Sequence, residues 1–576
     1  MSHDAVPAWG NPPAAASRPF RWKRLVLLLV ALVTVAAMAI GALLYWLWTD
    51  AKVSTVGKAP FDNALAIPPL AEPTVEKDGT RVFDLRMQAG ETEFRDGVRT
   101  PTWGFNGSYL GPTLRAKRGE KVRVRVSNTL DEPSTVHWHG MHLPARMDGG
   151  PHQMVAPGAT WTPHWTVDQP AATLWYHPHP HGRTEDHVRR GLAGLFLLDD
   201  DASGRLPLPK RYGVDDLPVV VQDVRFDGSR LAGDRGLMQN VGFLGDRTMV
   251  NGTLRPYRKV QDELIRLRLL NASTARTYAF GFADSRDFAL IGTDGGLLQR
   301  PARMNRIQLS PGERAEIVVR MKPGERVMLR SFPQRNYGDE WQRRFNGGDD
   351  TFDVLELRAA ERLRPSPELP GTLVSAPELP DGEQAVEARH FDLKRSGING
   401  RAMDMGRIDE TVTRGTTEVW TIRNTNGMPH NFHVHDVQFR VMEVNGKTPP
   451  PELRGRKDTV FVPHGVTMKL ALRFTGPADP DVPYMYHCHL LYHEDEGMMG
   501  QFVVVEKGRP AGGPPPGHEG HGGHGDPGSP GSHSSHANQD DHGSHGGHQS
   551  HSTHPAHGDH DKEPAPAGQA HGHEAG

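Results

Sequence analysis

One phrase recurs three times along this chain, and it decides the class of fold. It reads NGSYLGPTLRAKRGEKVRVRVSN from Asn106, NGTLRPYRKVQDELIRLRLLN from Asn251 and NGRAMDMGRIDETVTRGTTEVWTIRN from Asn399. Each copy opens on an Asn-Gly turn, runs through a connecting segment and closes on an alternating strand that ends in Asn. In KVRVRVSN, Val122, Val124 and Val126 share one face while Arg123 and Arg125 take the other, the pattern of a half-buried strand. With 576 residues, the chain is too long for a single core. The repeats therefore predict an all-β fold of three tandem β-sandwich domains, at 52–205, 206–365 and 385–507. A single cysteine excludes an intramolecular disulfide. Lys and Arg number 66 against 69 Asp and Glu, which gives no basis for a nucleic-acid partner.

Both ends of the chain depart from this pattern. From Leu25 to Trp48 the sequence is apolar and uncharged, and as a helix it would span roughly 36 Å, enough to cross a bilayer core. Arg18, Arg21, Lys23 and Arg24 precede it, and Tyr45, Trp46 and Trp48 close it like an interfacial belt. The expectation is a single-pass anchor in the cell membrane, with residues 1–24 cytoplasmic and everything after the anchor exported. A cleaved signal peptide is the alternative, but the run exceeds a typical signal core and no small-x-small site follows it. From Gly508 to Gly576 the chain is Gly, Pro, Ser, Asp and His, and it holds 14 of the 32 histidines. Such a tail cannot build a core and is expected to be disordered. Its histidines are candidates for weak copper or zinc capture, the alternative being a solvated tail.

Four His-x-His pairs carry the chemistry: His137 with His139, His177 with His179, His433 with His435, and His487 with His489. Residues two apart on a strand share a face, so each pair can present two imidazoles to one place. Eight buried imidazoles without a shared ligand would be a costly set. All four pairs lie in the outer two domains; the middle repeat has RTYAF where the others have histidines, and reads as a spacer. Imidazole sites suit copper, zinc or iron. Cys488 separates the fourth pair and alternates away from it, toward a second site on the other side of the strand. His493 and Met498 follow, and His430 precedes the third pair. One Cys, two His and a soft Met form the ligand set of a blue-copper electron-transfer site.

The stretches HWHGMHLPARMDGGPHQMVAPG, LWYHPHPHGRTEDHVRRGLAGLFLLDDD, PHNFHVHDVQFRV and YMYHCHLLYHEDEGMMGQFVV together resemble the three-domain multicopper oxidases, within them the bacterial laccase and copper-efflux oxidase subgroup. The resemblance covers roughly residues 75–507. It implies cupredoxin-like domains and four copper ions. A type 1 copper would be held by His430, Cys488 and His493 with Met498 axial; the adjacent Met499 would pack in the core, the alternative being that it takes the axial place itself. His137 and His433 would hold a type 2 copper; His139, His177, His179, His435, His487 and His489 would hold a type 3 pair. His181 is the alternative to His177 and fits the family phrase less well. Substrate electrons would enter at the type 1 copper, and dioxygen would be reduced to water at the other three. Asp148 and Glu494 match positions that relay protons in this family.

Copper-efflux relatives carry a methionine-rich insertion over the type 1 site. Here ARHFDLKRSGINGRAMDMGRID lacks it, leaving only Met403, Asp404 and Met405 as a candidate Cu(I) cluster, although a Met pair flanking an Asp is more often packing. That absence favours phenols over Cu(I) or Fe(II). No twin-arginine pair precedes the apolar run, so copper loading is expected after export. Two other functions compete: a copper-binding resistance protein that only sequesters metal, and a structural protein like the cell-division relatives that have lost their ligands. The first does not require a thiolate wired to a histidine cluster. The second is opposed by the twelve occupied ligand positions.

Overall fold

Each Asn-Gly phrase builds the same piece of backbone. Asn106, Asn251 and Asn399 all adopt left-handed conformations, at φ 59°, 51° and 56°, which Asn tolerates better than most residues. Their side chains then act as strand partners: Asn106 Oδ1 accepts from the Arg86 amide at 2.7 Å, Asn251 Oδ1 from Val220 at 2.9 Å and Asn399 Oδ1 from Asp392 at 2.8 Å. The asparagines that end the phrases form a second set. Asn128, Asn271 and Asn424 are buried, and each Nδ2 donates to one carbonyl of the turn that follows (Glu132, Arg276, Met428) and to one of a distant neighbouring segment (Val155, Leu309, Val462). An amide side chain can satisfy the turn and the neighbouring segment at once, which is why Asn recurs there.

The structure is a computed structural model that describes Gly10 and residues 22–236, 238–334, 336–375, 379–395 and 397–513. It is mostly sheet, arranged as three pairs of sheets, each enclosing its own apolar core. In the first pair, Arg81–Arg95, Lys121–Asn128 and their neighbours face the sheet Leu114–Lys117, Gly194–Asp199, Ala172–His177 and His137–His139. Val122, Val124 and Val126 are fully buried between them, and Arg125 lies on the outer face against Asp84 at 2.6 Å. The middle pair combines a six- and a seven-stranded sheet; the third combines two of five. One stretch crosses over. Residues 53–67 lie with the middle pair, where Asn63–Ala64 pairs in parallel with Pro256–Tyr257 and Leu65 enters the middle core.

The apolar run forms the helix Trp22–Asp50, 29 residues long and apolar enough to cross a membrane; none of its residues is buried. The expectations for Arg18, Arg21 and the histidine tail beyond residue 513 concern positions outside the described residues.

The first and middle sandwiches are joined through buried charge. Arg268 binds both oxygens of Asp216, at 2.7 and 2.9 Å, and its Nη1 reaches Thr173 Oγ1 of the first sandwich at 2.7 Å and Glu316 at 2.9 Å. All of these side chains are buried, and Arg268 shares the two carboxylates with Arg266, which bonds Glu316 Oε2 and lies 3.8 Å from Asp216. Arg268→Met is expected to lower unfolding stability by about 3–5 kcal/mol, because buried Asp216 loses its two-pronged partner and keeps only Arg266 at 3.8 Å, while Glu316 retains Arg266. Urea unfolding followed by tryptophan fluorescence measures this, and a loss below about 1 kcal/mol would contradict the assignment.

Candidate metal centre

Two antiparallel strand pairs bring the histidines together. In the first sandwich His177 is paired directly with His137, and in the third His487 is paired with His433. Directly opposed residues project to one side, so each strand pair presents a histidine wall. The residues between the histidines turn the other way: Trp138 lies in the core of the first sandwich, Val434 and Cys488 in that of the third. The two walls meet ring on ring. His137 stacks on His435 and His139 on His433, each with centroids 3.8 Å apart.

Ring orientation is fixed by hydrogen bonds at the far nitrogens. His137 Nδ1 lies 3.1 Å from the Asp148 carbonyl and His433 Nδ1 2.9 Å from the Asp458 carbonyl, so the opposite nitrogens, both Nε2, point inward. Those two Nε2 atoms are buried with no hydrogen-bond partner. His435 Nδ1 meets Asp148 Oδ2 at 2.7 Å, and its Nε2 lies 3.2 Å from His487 Nε2, which is 3.1 Å from His179 Nε2. On the other side His177 Nε2 lies 3.4 Å from both His139 Nδ1 and His489 Nε2. Nitrogens crowded this closely, with their lone pairs inward, form a cation site rather than a hydrogen-bond network.

A separate group lies behind Cys488. Its Sγ is 3.6 Å from His430 Nδ1 and 3.6 Å from His493 Nδ1, and the two nitrogens are 3.1 Å apart. His430, Cys488 and His493 are all buried. Met499 is paired with His487 across the strands, which places its side chain on the histidine-cluster side. Met498, one residue earlier, belongs to the core that contains Cys488. His181 is exposed and belongs to none of the donor groups.

Three family models described as multicopper oxidase match residues 86–203, 222–337 and 375–508. The multicopper oxidase mco of Staphylococcus haemolyticus is 36% identical over 450 residues, covering 77% of this chain and 93% of that protein. The chain belongs to the multicopper oxidase family. Cell division protein FtsP of Salmonella typhimurium is also similar, 38% identical over 76% of this chain and 92% of that one. Among solved structures, the laccase-like multicopper oxidase CueO of Ochrobactrum sp., with oxidase activity towards lignin model compounds and lignosulfonate, aligns with a TM-score of 0.69 and 35% identity. It covers 77% of this chain and all of that one.

Membership implies copper and copper-dependent oxidase chemistry, and the donors here fit that metal. A thiolate with two imidazoles and a thioether suits copper better than zinc, which gains nothing from sulfur in a thioether. Burial keeps eight of these imidazoles neutral. Burial pushes His179 down to about 3 and His493 to about 4, and holds His139, His177, His430, His433, His435 and His489 well below the usual histidine range. Neutral rings keep a lone pair for the metal. Burial pushes the Cys488 thiol up to about 12, so a bound cation must displace its proton.

Two carboxylates expected from the sequence sit against the cluster. Asp148 is held in place by Gly149, at φ +81°, where a Cβ would strike the Val136 carbonyl at 1.8 Å. Glu494 Oε2 lies 3.1 Å from His487 Nδ1 and Oε1 3.4 Å from His179 Nδ1. A third carboxylate was not legible in the sequence. Asp458 Oδ1 lies 3.1 Å from His139 Nε2, and Arg314 of the middle sandwich grips both of its oxygens at 2.6 and 2.7 Å. The middle sandwich is therefore more than a spacer. Its Gly312 abuts the cluster, where an added Cβ would lie 3.2 Å from His139 and His489, and its Asn240 carbonyl accepts from His493 Nε2 at 2.9 Å.

The histidine burial sets an acid limit for the copper-free protein. Unfolded imidazoles take up protons near pH 6.5, whereas the folded ones refuse them until far lower pH. Stability is thus full above about pH 6.5 and falls as pH drops toward the folded values, by about 1.4 kcal/mol per pH unit for each such histidine. The midpoint of urea unfolding of copper-free protein is expected to hold above about pH 6.5 and to fall steeply below it toward about pH 4, and much less once copper is bound. A flat profile would contradict the neutral, buried cluster.

Proposed function

We propose that this chain is a membrane-anchored oxidase that couples one-electron oxidation of a reducing substrate, phenols above all, to four-electron reduction of dioxygen to water. The observation that carries this reading is the position of Cys488. Its sulfur faces His430 and His493, while one peptide bond on either side leads to His487 and His489 in the histidine cluster. Copper bound at the two places supplies one-electron redox chemistry on the thiolate side and oxygen reduction on the histidine side.

In the roles this implies, His430, Cys488 and His493 would hold a type 1 copper, with the Met498 thioether as the fourth donor. His137 and His433 hold a type 2 copper through the two unpartnered Nε2 atoms. His139, His177 and His489 hold one type 3 copper, and His179, His435 and His487 the other. Reduction of oxygen to water consumes protons, and two buried carboxylates are placed to hand them over. Asp148 Oδ1 is buried without a hydrogen-bond partner, and its Oδ2 orients His435. Glu494 lies between His179 and His487 with both oxygens buried.

Phenols are favoured because no methionine-rich insertion covers the region next to Met498. Met403 does lie beside that edge, its amide bonded to the Gly497 carbonyl at 2.8 Å, which keeps Cu(I) as a second substrate reading. Asp404, however, spends its carboxylate on the Gly406 amide at 2.9 Å and on Arg407. The similarity to FtsP raises a structural role, and the competing sequestration role needs only tight copper. Against both stand the complete donor set and the covalent link at Cys488.

Cys488→Ser is expected to abolish both the intense blue absorption and donor oxidation while the fold and most bound copper remain. Retained colour would overturn the type 1 assignment. Asp148→Asn is expected to keep the colour yet slow steady-state oxygen uptake about tenfold to a hundredfold or more. Uptake equal to that of the parent would remove Asp148 from the proton path.

A further inference from the structure

The apolar helix and the Cys488 site meet the same short element of the middle sandwich. Trp48, half-buried near the end of Trp22–Asp50, packs against Trp341 and Phe345 of the helix Glu340–Phe345, with ring centroids 6.1 and 6.0 Å apart. The Arg344 guanidinium lies 4.8 Å from the Trp48 ring. Only Ala51 and Lys52 follow before the chain is pinned to the folded body. The Val53 amide donates to Asp350 Oδ1 at 2.7 Å, its carbonyl accepts from Thr351 at 3.0 Å, and Arg276 holds the other Asp350 oxygen at 2.6 Å. A link this short, clamped at both ends, holds the body in one attitude to its anchor, unlike a flexible tether.

The C-terminal end of Glu340–Phe345, which Trp48 also touches through Phe345, leads on toward the Cys488 site. Asn346 caps the helix, and its Oδ1 accepts from the Asn240 amide at 2.9 Å. The carbonyl of Asn240, an exposed residue, accepts in turn from His493 Nε2 at 2.9 Å. Aromatic residues at the end of a spanning helix settle at the membrane–water boundary, and Trp341, 44% exposed, continues that belt onto the folded body. The face that carries His493 is therefore tied, through one helix, to the level of the lipid headgroups.

We propose that the anchor holds the His493 edge against the bilayer surface, so that the donor this protein oxidises is a hydroquinone dissolved in the membrane. The inference rests on the oxidase reading above, with the Cys488 site as the point where electrons arrive. The chemistry balances with dioxygen as oxidant. Two hydroquinones each lose two electrons and two protons to become quinones, and those four electrons and four protons turn one dioxygen into two waters. A donor confined to the membrane gains a high local concentration at an edge fixed there, and loses it when the edge is free to drift.

The test uses the full-length, copper-loaded protein in phosphatidylcholine vesicles and follows oxygen uptake with two donors. One is a decyl-substituted benzohydroquinone that partitions into the bilayer; the other is hydroquinone sulfonate, which stays in water. A variant carries about ten Gly/Ser residues inserted between Asp50 and Ala51, and a second is Trp341→Ser. The expected result is a loss of about fivefold or more with the bilayer donor in the insertion variant, a smaller loss in the same direction for Trp341→Ser, and water-soluble donor rates within about twofold of the parent. Unchanged bilayer-donor rates, or losses shared equally by both donors, would overturn the proposal. No uptake with either donor in the parent protein would overturn the oxidase reading and this inference with it.

Discussion

The structure depends on the seam between the first and third sandwiches, and two aspartates close it in mirror fashion. Asp148, from the first, fixes its own neighbour His137 with its carbonyl and reaches across to His435 with its carboxylate. Asp458, from the third, fixes His433 with its carbonyl and reaches back to His139. Each aspartate therefore orients one histidine of either wall. Neither wall alone presents a complete set of inward nitrogens, so metal affinity and the seam are one problem. Burying so many imidazoles is tolerable only where a cation satisfies them all, and the same burial keeps them neutral and ready to bind.

The middle sandwich is the brace for that seam. It holds no histidine, yet Arg314 clamps Asp458, Gly312 yields the room that His139 and His489 occupy, and Asn240 aims His493. Lys457 adds a second buried bridge, from the third sandwich to Asp294 and Glu313 of the middle one, at 3.0 and 2.8 Å. Buried pairs of this kind contribute little net stability but punish misplacement heavily, which suits a frame that must hold ligands from two domains in register. Cys488 completes the layout because a strand has two faces: its histidine neighbours face the seam while its sulfur faces the sandwich core.

Much of this was legible in the sequence because it is local. The Asn-Gly phrases, Val122, Val124 and Val126, the four His-x-His pairs and Cys488 all follow from turn chemistry and a period of two. Asp148 and Glu494 were visible through the family resemblance, each lying beside one of its histidine phrases. Asp458 and Arg314 were not, since their partners lie 319 and 144 residues away in the chain and nothing in their neighbours announces a metal. The middle sandwich looked like a spacer for the same reason: its contributions are a carbonyl, a glycine and an arginine. The switch of residues 53–67 to the middle sheets was equally hidden, because a parallel edge pairing such as Asn63 with Pro256 leaves no mark on local pattern.

The central claim is that one thiolate joins a donor-facing metal to an oxygen-reducing cluster. The most direct measurement is an anaerobic reductive titration of the copper-loaded protein, followed by admission of oxygen. The account predicts four electrons stored per chain, one dioxygen consumed on reoxidation and no hydrogen peroxide released. Storage of a single electron per chain, with peroxide as the product, would contradict it.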